Sequence, residues 1–135
     1  MPNDRQHAPL GYMSHIIIEP KPKGSVWPGR AKDGRLFVRH TSTSYEKQLQ
    51  SIIEKEYKGE LLEGAVYVGL RFFLKRGKTV SRKTPFVRPD IDKLARAVLD
   101  ALTGIVFRDD AQVVKLHCSK SYSDEASVLI IVTQE

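Results

Sequence analysis

A stripe of apolar residues at helical spacing marks one segment in the second half of the chain. Its members recur every three or four residues, as on one face of an α-helix: Ile91, Leu94, Ala95, Val98, Leu99 and Leu102. Pro89 disfavours helical backbone at Arg88, and Asp90 then stands where an N-cap side chain accepts a hydrogen bond from a free backbone N–H. Gly104 stands where a left-handed residue commonly ends a helix. We predict a helix from about Ile91 to Thr103, capped by Asp90.

Other patterns predict a second helix and further strands. Thr43 and Glu46 form a capping-box pattern that opens a helix reaching about Tyr57. Alternating apolar residues predict a strand from Gly64 to Lys75, and its buried face comprises Val66, Val68, Leu70 and Phe72. Runs rich in β-branched and apolar residues predict four more strands: His15–Glu19, Arg35–Arg39, Ala111–Lys120 and Ser127–Thr133. The inward positions expected on the strand from Ala111 are Val113, Leu116 and Cys118, and residues 121–125 are predicted to form a hairpin turn.

These elements predict a single α+β domain in which two helices pack on a small mixed sheet. Their order is β-α-β-α-β-β, with the short strand Arg35–Arg39 added early. Residues 1–14 are polar and aperiodic, so we expect a flexible lead-in before a domain that spans residues 15–135. A chain of 135 residues is long enough for one domain with its own core.

Composition narrows the class of protein. The chain is 41% hydrophobic and 28% charged, which is typical of a globular protein. Its net charge of +6 and pI of about 9.5 favour a polyanionic partner. Cys118 is the sole cysteine, which excludes an internal disulfide and a cysteine-cluster zinc site and fits a reducing cytoplasm. No apolar run approaches the roughly 18 residues of a membrane span, so no membrane association is expected.

Four aspartates surround the predicted helix: Asp90, Asp92, Asp109 and Asp110. Residues two apart on a helix point about 200° apart around its axis, whereas in an extended segment they share a side. Asp90 and Asp92 therefore converge only if Asp90 stays outside the helix, as an N-cap does. A third carboxylate has to come from elsewhere, and the pair Asp109 and Asp110, at a turn after the helix, is the candidate.

Each aspartate also has a purely structural interpretation. Asp90 serves as an N-cap, and Asp92 is favoured by the helix dipole and spaced to pair with Arg96. Asp100 is spaced to pair with Arg96 across one turn, and Asp109 with Asp110 suits a polar turn. Taken singly, these interpretations outweigh a catalytic one.

Two basic segments are candidates for contact with nucleic acid. The loop 76–85 holds Lys78, Arg82 and Lys83 and leads through Arg88 into the acidic motif, so we favour a phosphate clamp over a plain solvated connection. Residues 20–34 are rich in Pro, Gly and Lys. They fit a solvated loop and a DNA-contacting arm equally well, with Trp27 available for base stacking in the second case.

The acidic segments together resemble one family. Residues 89–94 (PDIDKL), 100–102 (DAL) and 106–114 (VFRDDAQVV), followed by Lys120, closely resemble the RusA-type Holliday junction resolvases. Those proteins are small, often prophage-encoded, magnesium-dependent DNA endonucleases that work as homodimers. The signature covers about a quarter of the chain, and we align the family domain from about His15 to the C-terminus.

The resemblance implies that Asp90, Asp92 and Asp110 are catalytic carboxylates that bind metal, with Asp109 as an adjacent candidate ligand. It implies Mg²⁺ as the cofactor, with Mn²⁺ able to substitute, and a DNA contact for Lys120. Two positions depart from the family pattern. Lys93 stands where Asn is usual, and Arg96 stands where a functional Lys is usual. Arg96 keeps the charge for phosphate binding but cannot shuttle a proton, and Lys93 adds a cation beside the phosphate.

The function that the resemblance implies is resolution of four-way DNA junctions by a homodimer that hydrolyses paired phosphodiester bonds during recombination and repair. Two alternatives stay open. One is a nuclease that prefers flaps or forks, and the other is a catalytically silent protein that binds branched DNA, an alternative that the Arg96 departure keeps open.

Overall fold

The computed structural model describes residues 11–20, 29–30, 36–37 and 41–135. The strands are β1 (Gly11–Ile17), β2 (Gly29–Arg30), β3 (Leu36–Phe37), β4 (Val66–Lys75), β5 (Val113–Ser123) and β6 (Ser127–Gln134). The helices are α1 (Thr41–Glu56), α2 (Ile91–Leu102) and a 3₁₀ helix at Asp110–Gln112. The order of elements confirms the predicted α+β domain.

A mixed four-stranded sheet carries the domain, in the order β1-β6-β4-β5. β4 pairs with β5 in parallel, and β6 pairs antiparallel with both β4 and β1. The chain leaves β4, passes through α2 and re-enters beside β4 as β5, and a parallel neighbour requires such a crossover. β2 and β3 form a separate two-stranded ribbon.

The predicted hairpin between β5 and β6 is wrong. β5 continues through Ser123, and β4 lies between β5 and β6 in the sheet. Both strands therefore use β4 as their partner, one on each of its edges. The short polar connection at residues 124–126 crosses the end of β4, where the Arg76 N–H donates to the Ser123 carbonyl and the Ile18 N–H to the Ala126 carbonyl.

One core joins the sheet to both long helices. The predicted buried face of β4 is confirmed, since Val66, Val68, Leu70 and Phe72 are almost fully buried. α2 buries the greater part of its stripe, together with two small residues: Leu94, Ala95, Ala97, Val98, Ala101 and Leu102. α1 adds Tyr45, Leu49 and Ile53 to the same cluster. Burying each large apolar side chain contributes about 1.5–3 kcal/mol, so these contacts fix α2 on the sheet.

Two further predictions need correction. β1 begins at Gly11, so residues 11–14 belong to the sheet, and Tyr12 is buried with its hydroxyl donating to Glu56 Oε1 at 2.5 Å. Residues 1–10 of the expected lead-in lie outside the described residues. The helix predicted to open at Thr43 begins at Thr41, so Thr43 does not occupy the N-cap position, and its side chain lies outside the described residues. Leu116 was predicted to be inward but is 46% exposed, because β5 is the edge strand of the sheet in the part of the chain that the structure describes.

Candidate functional site

The start of α2 presents two exposed carboxylates. Asp90 occupies the N-cap position with extended backbone (φ −70°, ψ 141°), and Asp92 lies in the first turn. The extended backbone of Asp90 confirms the predicted N-cap position. Its side chain, however, does not make the expected capping hydrogen bond. The Asp90 carboxylate instead lies 3.9 Å from the Lys93 ammonium, in an exposed ion pair of little energetic weight. It is therefore available to another ligand.

Lys120 fixes the segment that leads into α2. Its ammonium donates to the Val87 carbonyl at 2.8 Å and to the Pro89 carbonyl at 2.9 Å. Because Lys120 lies on β5, in register with Phe72 of β4, these bonds tie the residues just before Asp90 to the sheet. Both acceptors are neutral carbonyls, so these bonds leave the positive charge of Lys120 without a counterion in the described part of the chain. The DNA contact expected for Lys120 stays a prediction, and anchoring is a second role that the sequence did not indicate.

The turn after α2 is organised by Asp109. Its carboxylate accepts a hydrogen bond from the Ala111 N–H at 3.0 Å, and the Gln112 side-chain oxygen accepts from the backbone N–H of Asp109 at 2.9 Å. The two form a capping box for the 3₁₀ helix. Gln112 also donates to the carbonyls of Leu62 and Gly64. Asp109 thus has a structural role, which its three-residue spacing from Gln112 could have indicated.

Asp110 stands in an acidic environment beside α2. Its pKa is raised, chiefly by a hydrogen bond with Asp109 and then by burial and the charges of Asp109 and Asp100, while the Arg96 guanidinium acts in the opposite direction. Glu46 of α1 has a raised pKa from burial and from Asp100. Asp110 therefore lies within electrostatic range of Arg96 and Asp100 on α2. The Asp92–Arg96 and Asp100–Arg96 ion pairs suggested by spacing do not form within 4.0 Å in the described part of the chain.

The four aspartates thus fall into two groups at the two ends of α2. In the described ranges, 11–20, 29–30, 36–37 and 41–135, no set of three or more His, Cys, Asp or Glu side chains could hold a metal ion. Asp90, Asp92 and Asp110, which the resemblance implied to be metal ligands, are therefore not brought together as such a set within these residues. The individual roles of these residues stay predictions.

The basic loop before α2 is folded against the end of β5. The Arg76 guanidinium donates to the carbonyls of Val80, Arg82 and Lys83 at 3.3, 2.8 and 3.3 Å, and lies 4.6 Å from the centre of the Tyr122 ring. Arg82 donates to the Tyr122 hydroxyl at 2.8 Å. Arg76 and Arg82 are therefore largely engaged in shaping the loop, a role for which the sequence alone gave no signal.

The same loop leaves other groups pointing to solvent. Lys78, Lys83 and Arg88 are exposed, and so is Lys93 in the first turn of α2. Phe86 is 77% exposed, with the Arg82 guanidinium 5.8 Å from its ring centre. An exposed aromatic ring among cations is what a surface for stacking bases and holding phosphates requires. Phe86 stands four residues before Asp90, but no sequence pattern marked it as a candidate. Trp27 lies outside the described residues.

Comparison with known proteins gives the family. The sequence model for endodeoxyribonuclease RusA matches residues 18–133, which include every aspartate considered above. The chain belongs to the RusA family. It is also 26% identical over 132 residues to the uncharacterized protein YqaN of Bacillus subtilis (strain 168), covering 87% of this chain and 89% of that protein. RusA-family membership supports endodeoxyribonuclease activity on DNA junctions at the level of the family. Among the described helices, none has the length and apolar character to span a membrane.

Proposed function

We propose that this protein resolves Holliday junctions as a structure-specific endodeoxyribonuclease, cutting paired phosphodiester bonds in recombination and repair. The observation that carries the proposal is the pair of exposed carboxylates, Asp90 and Asp92, at a helix start tied down by Lys120. They follow directly on a basic loop. Acidic groups that hold a cation beside a surface that holds phosphates are what DNA hydrolysis requires. A DNA substrate agrees with the cytoplasmic location expected from the sequence.

The DNA-binding surface in this proposal is the basic loop with the first turn of α2. Lys78, Lys83, Arg88 and Lys93 are the exposed cations for phosphates, and Arg82 contributes while also supporting the loop. Phe86 offers a ring for a base that is unstacked at the branch point. Because Arg76 and Lys120 hold the loop in shape, little ordering of the loop is needed on binding.

We propose Mg²⁺ as the cofactor, with Mn²⁺ as a substitute, because all the candidate ligands are carboxylates and hard cations prefer oxygen donors. Bound at the carboxylates of Asp90 and Asp92, the ion would stabilise negative charge on the scissile phosphate and lower the pKa of a bound water molecule. Arg96 lies close enough to act on the Asp110 carboxyl and would add positive charge without moving a proton.

A homodimer belongs to the proposal because a four-way junction has approximate twofold symmetry. Paired cuts call for two active sites related by the same symmetry, which a C2 dimer provides. A second candidate is a silent protein that binds branched DNA, and the observation that favours it is Arg96 in place of the usual lysine. A third is a nuclease that prefers flaps or forks, which uses the same site on another substrate.

One experiment separates these functions. The purified protein is incubated with labelled four-way junction, linear duplex, flap and fork DNA in Mg²⁺, in Mn²⁺ and in EDTA. The proposal predicts junction binding in all three conditions and symmetric paired cuts in the junction only when a metal is present. Faster cutting of flaps or forks would favour the third candidate. Binding without cuts in either metal would establish the silent protein and make Arg96→Lys the next variant.

A further inference from the structure

A cavity of about 410 Å³ opens beside the end of β4, where the basic loop begins. It is lined by Glu19 and Pro20 after β1, by residues 74–78, and by Ala126 before β6. We infer that this cavity binds one unstacked nucleotide of a DNA strand, with the phosphate on lysines and the base between apolar groups and Glu19. This inference rests on the proposed nuclease function and adds to it a contact through which the protein selects a base.

The cavity exists because β6 stops short of its two neighbours at this end of the sheet. β6 begins at Ser127, opposite Ile17 of β1 and Phe73 of β4. Beyond these positions the chains of β1 and β4 run on with Ala126 between them. Neighbouring strands lie about 4.8 Å apart, so the two walls are about 10 Å apart. Stacked bases are spaced about 3.4 Å apart, so one planar base fits between these walls with contacts on both faces.

Two hydrogen bonds hold the walls of the cavity in place. The Ile18 N–H donates to the Ala126 carbonyl at 3.2 Å, which ties the chain after β1 to the start of β6. The Arg76 N–H donates to the Ser123 carbonyl at 3.1 Å, which ties the end of β4 to the end of β5. Because the walls are fixed before a ligand arrives, little ordering of the protein opposes binding.

The wall on the β4 side suits a phosphate group. Lys75 and Lys78 are exposed, and neither forms an ion pair within 4.0 Å in the described part of the chain. The backbone N–H groups of Gly77 and Lys78 donate to no other described backbone group. Ammonium groups together with successive unused N–H groups form a site for an anion.

The apolar part of the lining favours a nucleotide over an inorganic anion. It comprises Pro20 and the buried side chains of Leu74 and Ala126. A phosphate ion gains nothing from apolar groups, whereas the face of a nucleobase buries apolar area against them. Bases of duplex DNA are stacked on both faces, so only an unstacked nucleotide can enter. Branch points and single strands supply such nucleotides.

Glu19 gives the cavity a preference among bases. Its exposed carboxylate lies on the β1 side and forms no ion pair within 4.0 Å with Lys75 or Lys78 across the cavity. An ionised carboxylate only accepts hydrogen bonds, so it binds the amino group of cytosine or adenine and repels the O4 acceptor of thymine. The cavity therefore favours bases that carry an amino group.

The cavity lies apart from the carboxylates at the start of α2. Lys120, which anchors that start, is on β5, whereas Glu19 follows β1 at the other edge of the sheet. Three strand spacings, about 14 Å, separate the two edges. Stacked nucleotides rise about 3.4 Å each, so a base in the cavity lies a few nucleotides from a phosphate at Asp90 and Asp92. A nucleotide held there sets the position of its strand relative to the carboxylates.

Binding of short single strands in EDTA tests the base preference without cleavage. Oligomers of dC, dA and dT with a terminal fluorophore are titrated with the full-length protein and followed by anisotropy. The parent should bind dC and dA about tenfold more tightly than dT. Glu19→Gln offers a donor as well as an acceptor, so the ratio should fall to about twofold. Glu125→Gln removes the same charge from the adjacent turn, outside the cavity, and should keep the parent's ratio.

Substitutions of the lysines test the phosphate contact. Lys75→Gln and Lys78→Gln should each weaken binding of all three oligomers alike and reduce the slope of log K against log salt by about 0.7. Lys58→Gln, an exposed lysine beyond α1, is the matched control and should leave the slope unchanged. Unchanged slopes in both cavity variants would exclude a phosphate from this wall.

A disulfide cross-link locates the base directly. In a Cys118→Ala background, which removes the sole cysteine, the oligomer carries one cytosine with a short thiol tether on its amino group. Glu19→Cys should form the cross-link, and Glu125→Cys should not. Equal cross-linking of both variants would overturn the placement of the base.

The remaining outcomes separate this inference from the proposed function. Equal affinities of the parent for dC, dA and dT would overturn the selection of a base by Glu19. Displacement of the oligomer by an equal concentration of free dCMP would assign the cavity to a mononucleotide and overturn the DNA contact. A parent that shows the predicted preference and cross-link but cuts no junction would refute the nuclease function and leave the nucleotide site standing.

Discussion

The two ends of α2 use the same residue type in different ways. At its start, the side chains of Asp90 and Asp92 make no hydrogen bond to other groups in the described part of the chain, and a lysine from β5 holds the backbone just before them. Beyond its end, Asp109 is committed to a capping box, and the turn it builds presents Asp110 beside Asp100. Asp109 is therefore tied to the fold through one carboxylate oxygen, whereas the Asp90 carboxylate caps no helix. Hydrogen-bond partners thus indicate which of these carboxylates also build the fold, where sequence spacing does not.

The largest contrast should come from the same substitution made at each end. Asp90→Asn removes a charge that no backbone group uses, and we expect junction cleavage to fall by more than about 100-fold. Asp109→Asn keeps an oxygen that can cap the 3₁₀ helix, so cleavage should stay close to the parent rate. The measurement is the cleavage rate of each variant and of the parent on the same labelled junction. Equal losses in both variants would mean that Asp109 is also a ligand.

Loosening the start of α2 should have the next largest effect. Lys120→Met keeps the length of the side chain but removes both hydrogen bonds to the Val87 and Pro89 carbonyls. We expect kcat to fall by about 10–100-fold, with much less change in KM, because misplaced carboxylates affect the reaction more than DNA binding. Lys120→Arg should recover part of the rate. A change confined to KM would indicate instead that Lys120 mainly contacts DNA.

The end of α2 should respond through stability. Asp109→Ala removes the cap of the 3₁₀ helix and should cost about 1 kcal/mol, or about 4 °C in Tm for a domain of this size. Asp109→Asn is the matched variant and should melt like the parent. Thermal unfolding in EDTA measures both. An unchanged Tm in the alanine variant would show that the capping box contributes nothing to the fold.

The smallest effect concerns the charge of Asp110. Its pKa is raised above the ordinary value of 3.8, so the folded protein favours the protonated carboxyl and is penalised once that group ionises. In EDTA at pH 7, Asp110→Asn should therefore be slightly more stable than the parent. The difference should vanish as the pH falls below 3.8, where the carboxyl is protonated in both states. Because the group is exposed, solvent screening keeps the effect small. An Asp110→Asn variant that is less stable than the parent at pH 7 would contradict the predicted direction of this effect.

Local patterns predicted the elements that carry the site. The apolar stripe gave α2 to within one residue, and Gly104 has the left-handed backbone expected of it, at φ 86°. The alternation of β4 gave its buried face. These features depend on residues a few positions apart, where side-chain period and backbone sterics decide the outcome.

Local sequence patterns did not predict the features that depend on contacts between residues far apart in the chain. The order of β5 and β6 is set by which edge of β4 each strand pairs with, and a short polar turn is compatible with either arrangement. The extra length of β1 depends on pairing with β6, from Gly11 opposite Thr133 onward. Lys120 is separated from Pro89 by 31 positions, so no local pattern relates them. The separation of Asp90 from Asp110 follows from the same topology.

The most direct test of the account compares the parent with Asp92→Asn on a labelled four-way junction in Mg²⁺, recording binding and cleavage in the same samples. Glu54→Gln, an exposed charge removed from α1, is the matched control. The account predicts symmetric paired cuts by the parent and the control, and junction binding without cuts by Asp92→Asn. Undiminished cutting by Asp92→Asn, or a parent that binds the junction and never cuts it, would contradict the claim that the carboxylates at the start of α2 perform DNA hydrolysis.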